Sequence, residues 1–224
     1  MAIALVASTH IENTATSPAI NTTGATLLVV LGINYNDVTA ATSDSKGNTW
    51  HLLTKYGDGG PSGILWIAYA YDHGGSALSV GSGHTFTIVQ GNYPSLAVLA
   101  FSGTDTTSAV YQASSDKGVY SSAGTTIQPG SVTPAAAGDL IVTGWCSGDS
   151  SNSNPTVDLS FVRDQVIYDG SSMDGAVAHL ITTTTDAKNP TWTSGTNKVA
   201  NIAVFKQGAG GGGDVSRPLT GVCG

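Results

Sequence analysis

The side chains of this chain that could do chemistry are five histidines, two cysteines and a scatter of serine, aspartate and asparagine. His10, His51, His73, His84 and His179 stand apart, and no pair has the i, i+2 or i, i+4 spacing of a ligand set, so a metal centre is not expected. Nucleophilic hydrolysis needs a serine or cysteine presented beside a base, often on a strained elbow. Gly60-Pro61-Ser62-Gly63 is too short and too turn-like for such an elbow, and Cys146 and Cys223 are too far apart to suggest a metal or disulfide framework. They read as free thiols. The aspartates mostly sit beside glycine, serine or asparagine, where they bond their own backbone in turns. Among them Asp44, Asn48, Asp149, Asn152 and Asp158 are the oxygen-rich candidates for a structural Ca²⁺, but they form no calcium loop and fit turn duty better. The expectation is a chain with no catalytic site, no cofactor and no metal.

Aromatic residues offer binding instead of turnover, because a ring face packs on the apolar face of a sugar while asparagine or aspartate takes its hydroxyls. Trp50, Tyr56, Trp66, Tyr69, Tyr71 and Tyr93 are the candidates. Trp66 lies in an apolar run that reads as core. Trp50 follows a polar turn, which makes Trp50 and Tyr56 the possible glycan platform; packing roles are the competing reading for the set.

These residues sit on strands. Only 10% of the 224 residues are charged, helix formers are scarce, and glycine, serine and threonine separate short apolar runs. Alternation and branched side chains predict strands at 2–8, 25–33, 50–56, 64–71, 84–89 and 96–102, then at 139–146, 161–168, 175–182, 190–194 and 199–206. Residues 43–49 read as a hairpin connection with Gly47 at its tip. The two strand sets echo each other. Residues 24–29 fall over 137–142, 64–69 over 175–180, 84–87 over 189–193, and 96–101 over 201–205, which marks pseudo-repeats of about 17–103 and 131–207. Duplication and convergence on a common strand spacing both explain that match. The fold expected is an all-β, jelly-roll-like antiparallel sandwich of two similar Greek-key halves over residues 1–207.

Residues 208–213 form a glycine-rich linker, and 214–224 follow as a C-terminal arm. Val215, Arg217, Leu219 and Val222 make it a candidate partner-binding arm that adds to a neighbour's sheet edge; a frayed terminus explains it equally.

Eight Lys and Arg against fifteen Asp and Glu give a net charge of −7, which argues against nucleic acid as a partner. Gly32, Asn34 and Asn36 interrupt the longest apolar run, so membrane insertion is not expected. The first ten residues lack a basic leader region, so synthesis and folding in a cytoplasm are expected.

Five segments, 17–25, 43–50, 83–86, 93–98 and 132–134, together resemble a loose group of jelly-roll proteins from tailed-phage and prophage structural gene clusters, also seen as bacterial surface domains. The resemblance spans most of residues 1–207. It implies a virion protein, assembled in the host cytoplasm as a capsid decoration, head fibre or tail-associated subunit. Its partners would be other virion proteins, further copies of itself and host surface glycans. The alternative is a carbohydrate-binding or adhesin module of a bacterial surface or secreted protein.

Overall fold

A computed structural model describes residues 1–73, 77–148, 154–168, 173–193 and 195–209. The strands are β1 (Ala4–Ile11), β2 (Leu27–Asn34), β3 (Thr42–Asp44), β4 (His51–Leu52), β5 (Tyr56–Gly57), β6 (Ile64–Tyr71), β7 (Phe86–Ile88) and β8 (Ser95–Ser102) in the first half. The second half holds β9 (Lys117–Ser121), β10 (Thr126–Ile127), β11 (Leu140–Ser147), β12 (Thr156–Val157), β13 (Val162–Tyr168), β14 (Asp174–Ile181), β15 (Trp192–Thr193) and β16 (Lys198–Phe205). Among the described residues there is no α-helix, and every ladder is antiparallel. This is the all-β sandwich expected.

The long central strands do not alternate apolar with polar. Leu27-Leu28-Val29-Val30-Leu31 and Ile64-Leu65-Trp66-Ile67-Ala68 are unbroken apolar runs, the pattern of strands buried on both faces. All of β2 and β11 is buried. One face of each sheet meets the other sheet. Leu27, Val29, Leu31, Leu65, Ile67 and Leu99 of the first pack there against Leu140, Val142, Val177, Val199, Ala203 and Phe205 of the second. The outer face of the first sheet is covered by the small sheet β3–β7, with Phe86 and Ile88 on Leu28, Val30, Trp66 and Val98. The outer face of the second is covered by β10–β15–β12, with Ile127, Phe161 and Trp192 on Ile141, Trp145, Ala178 and Ile202. Four layers therefore stack, and each main sheet carries its own cover.

The two main sheets share one strand order. The first runs β1-β8-β2-β6-β4, with β5 also on β6, and the second runs β9-β16-β11-β14-β13. Their rungs correspond. Leu27 pairs with Tyr71 and Phe101, as Leu140 pairs with Ile181 and Phe205. Further along, Gly32 pairs with Trp66 and Leu96, while Trp145 pairs with Ala176 and Ala200. Both halves thus set one indole against a small residue across the same pair of strands, from opposite sides. Each half keeps its long strands in one sheet; a jelly roll, the finer form expected, would alternate successive strands between sheets.

Three sequence expectations differ in detail. The strand at 50–56 is split into β4 and β5, because their pairings with β6 are offset by one residue (His51 with Tyr69, Tyr56 with Leu65) and Asp116 captures the intervening Thr54 amide at 2.7 Å. Residues 43–49 do not join hairpin partners: β3 pairs with β7 in the cover and β4 with β6 in the main sheet, so this turn changes layer. Gly47 does take the positive φ expected, at 74°. Finally, β9 lies where no strand is expected, yet it closes the edge of the second sheet against β16.

Gly208 is tied to the sandwich by its amide, which donates to the Gly103 carbonyl at 2.9 Å. The arm residues Val215, Arg217, Leu219 and Val222 lie outside the described residues.

Candidate functional site

Three groupings of chemically capable side chains emerge among the described residues, and the first two could not be read from spacing. The first is a line through the cover of the first sheet. Thr22 Oγ1 lies 2.9 Å from His84 Nδ1, and His84 Nε2 lies 3.4 Å from Asp44 Oδ1. A hydroxyl, an imidazole and a carboxylate in that sequence have the order of a hydrolytic triad. Thr22 and His84 are fully buried, and so is the Asp44 side chain, so no substrate can reach them. Their role is structural. Asp44 accepts from the Lys46 amide (2.7 Å), the Asn48 amide (3.3 Å), Asn48 Nδ2 (3.0 Å) and Trp50 Nε1 (2.8 Å). Burial pushes its carboxyl upward, but the bonds from Asn48, Lys46 and Trp50 outweigh that and leave it below the usual range. Burial drives His84 the other way from charge, below its ordinary value, with Asp44 offsetting only part.

The second grouping stitches the sheets along one side. His10 Nδ1 donates to Gln165 Oε1 at 2.6 Å, Gln165 Nε2 to Ser8 at 2.7 Å, and the Tyr168 amide to Glu12 at 3.1 Å. The register shift between Arg163 and Gln165 brings Asp164 to His179 at 2.7 Å, with the Asp164 side chain 2% exposed.

The third is open. A cleft of about 320 Å³ at the end of the first sheet is lined by Asn48, Thr49, His51, Tyr71, His73 and Ser79. His51 stacks on Tyr69 at 5.1 Å and 22°, Tyr71 lies 5.5 Å from His51, and His73 lies 5.4 Å from Tyr71. Behind them Tyr69 contacts Tyr111 (5.8 Å) and Phe205 (5.4 Å). Burial, then Tyr71 and Tyr111, push the Tyr69 phenol up to about 12, so it keeps its proton.

The platform residues are not brought together. Trp50 packs in the outer cover, edge-on to Phe86 at 6.1 Å, whereas Tyr56 packs in the inter-sheet core and donates to Asp116 at 3.2 Å. They serve opposite faces of one sheet. Trp66 is fully buried, as expected for core. Of the calcium candidates, Asp44 and Asn48 are bonded to each other, Asp158 accepts from the Thr191 amide at 2.7 Å, and Asp149 and Asn152 lie outside the described residues. Among the described residues no three His, Cys, Asp or Glu side chains gather as a metal set. The cleft carried one overlooked signal: Tyr69, Tyr71 and His73 alternate, which puts them on one side of an extended chain.

Lys198 is fully buried, and its Nζ donates to the carbonyls of Ala123 (2.9 Å) and Gly124 (2.6 Å), which holds the turn after β9. Cys146 is a free, fully buried thiol 3.7 Å from the Ser62 carbonyl, and burial pushes it far above its ordinary range. Cys223 lies outside the described residues. In a Cys223→Ser chain, a thiol reagent should modify Cys146 only at the rate of global unfolding. Rapid modification of the native protein would show the inter-sheet core to be open.

Fold and site together define a four-layer all-β sandwich, covered on both broad faces, with an aromatic cleft at the end of its first sheet. No protein family, curated protein or solved structure matches this chain.

Proposed function

We propose that this chain is a non-enzymatic structural subunit of a tailed-phage particle, a capsid-decoration, head-fibre or tail-associated protein that binds copies of itself and other virion proteins. The observation that carries this reading is an apolar band where the sheet edges β1 and β13 run side by side. Leu5, Val6 and Val162, where the two strands start, are 37%, 38% and 56% exposed. Phe101, paired with Leu5, touches His179, paired with Val162, which puts the start of β1 beside the start of β13. A chain that covers both faces of both main sheets leaves apolar side chains exposed mainly at its sheet edges, and this patch, where two edges meet, is the one that suits an intermolecular contact. The sequence resemblance supplies the setting, and the arm at 214–224 would be a second attachment element.

Light scattering and negative-stain electron microscopy on the purified full chain test this. The wild type should form a closed oligomer, and Val6→Lys with Val162→Lys should return it to a monomer with unchanged unfolding. A wild type that is monomeric at every concentration would remove the basis for the reading.

A further inference from the structure

We infer that the cleft beside Tyr71 is a binding site for a neutral saccharide, which seats one pyranose ring against the Tyr71 and His51 rings. Asn48, Thr49 and Ser79 supply amide and hydroxyl groups, His51, Tyr71 and His73 supply rings, and among the described residues the lining contains no Asp, Glu, Lys or Arg. A cleft with no ammonium or guanidinium, on a chain of net charge −7, does not suit a phosphate or another anion. With no carboxylate it also does not suit a cation. An uncharged polyol with an apolar face fits both halves of the lining: C–H groups against the rings, hydroxyls against Thr49, Ser79 and the remaining lone pair of Asn48 Oδ1.

Size and rigidity agree with that ligand. At about 320 Å³ the cleft stands at the small end of ligand pockets, which run from about 300 to 1,000 Å³. Its rings are held from behind. Tyr69 is 8% exposed and wedged against Phe205 and Tyr111, so the ledge formed by His51 and Tyr71 is anchored in the inter-sheet core. The polar wall is fixed as well: the Ser79 amide donates to Asn48 Oδ1 at 2.7 Å, and Asn48 Nδ2 donates to the Ser79 carbonyl at 2.9 Å and to Asp44 at 3.0 Å. Little order has to be created on binding, which favours affinity for a small, well-hydrated ligand. His51, Thr49 and Ser79 are exposed and Tyr71 is half-buried, so these residues are in contact with solvent. A ligand with a single ring in contact is expected to bind with Kd on the order of 1 mM, and repetition of the site in an oligomer would raise the avidity.

This site does not depend on the β1/β13 band and would serve a virion subunit or a surface module alike. The full chain, labelled with ¹⁵N, should be titrated with lactose, maltose, cellobiose and N,N′-diacetylchitobiose to about 10 mM. At least one of the four should shift the amides of 48, 49, 51, 71, 73 and 79. Tyr71→Ala should weaken that binding at least about tenfold, whereas Tyr71→Phe, which keeps the ring, should retain it within about threefold. If Tyr71→Ala fails to fold, His51→Ala, on the exposed side of the stack, replaces it with the same expected loss. Silence of these amides toward all four sugars, or shifts that survive loss of the ring, would overturn the inference.

Discussion

Asp44→Ala should cost about 3–5 kcal/mol of folding stability, the range for removing one side of a buried, hydrogen-bonded charge. One carboxylate accepts from the Lys46 and Asn48 amides, Asn48 Nδ2 and Trp50 Nε1, and faces His84 Nε2 at 3.4 Å. Truncation leaves those half-buried donors without their acceptor and frees Trp50 from its place against Phe86. Because the Asp44–Trp50 turn carries the chain from cover to main sheet, β3 and β7 should loosen together. Denaturant unfolding with unchanged m-value measures the loss; a cost below about 1 kcal/mol would mean that the donors find water instead.

The same group makes acid the natural denaturant. His84 has its folded-state pKa depressed below 6.5, so just below that pH the unfolded chain binds the extra proton. The stability it contributes is complete above about 6.5 and is lost as pH falls toward the folded value. Asp44 is depressed below 3.8, so its contribution is complete above that and disappears at lower pH. Both act in one direction, and the step that begins near pH 6.5 should vanish in His84→Gln.

Gly32→Val should be comparably damaging for the opposite reason. A Cβ on Gly32 would sit 2.3 Å from Cε2 and Cζ2 of Trp66, its cross-strand partner, so the indole must leave its slot and give up its bond to Thr42 Oγ1. Trp66→Ala creates the complementary defect, a cavity beneath the cover, worth about 3–5 kcal/mol. The second sheet shows how the pair can be inverted, with Trp145 opposite Ala176. Gly32→Trp combined with Trp66→Ala copies that arrangement and should recover at least about 2 kcal/mol relative to the sum of the single changes. Strict additivity would show that the rungs of the two sheets are not equivalent environments.

The long strands were legible because doubly covered strands announce themselves as unbroken apolar runs; Leu27–Leu31 and Ile64–Ala68 needed no partner to be recognised. Elements held by context were not. β9 is a strand because β16 offers it an edge, not because Lys117-Gly118-Val119-Tyr120-Ser121 has a strong preference of its own. The Thr22–His84–Asp44 line joins Thr22 to a histidine 62 residues away, and only the cover brings them within reach. Trp50 misled because its polar neighbours suggested an outward face, whereas Asp44 anchors its Nε1 and turns the ring inward. Reading Tyr69, Tyr71 and His73 as one alternating face would have found the cleft's aromatic ledge.

Native-state hydrogen exchange bears most directly on the central physical claim, that two equivalent sheets share one interior and each is sealed by its own cover. Amides of β2, β6, β8, β11, β14 and β16 should exchange only through global unfolding and at a common free energy. A second sheet whose amides open several kcal/mol more easily than those of the first would contradict it.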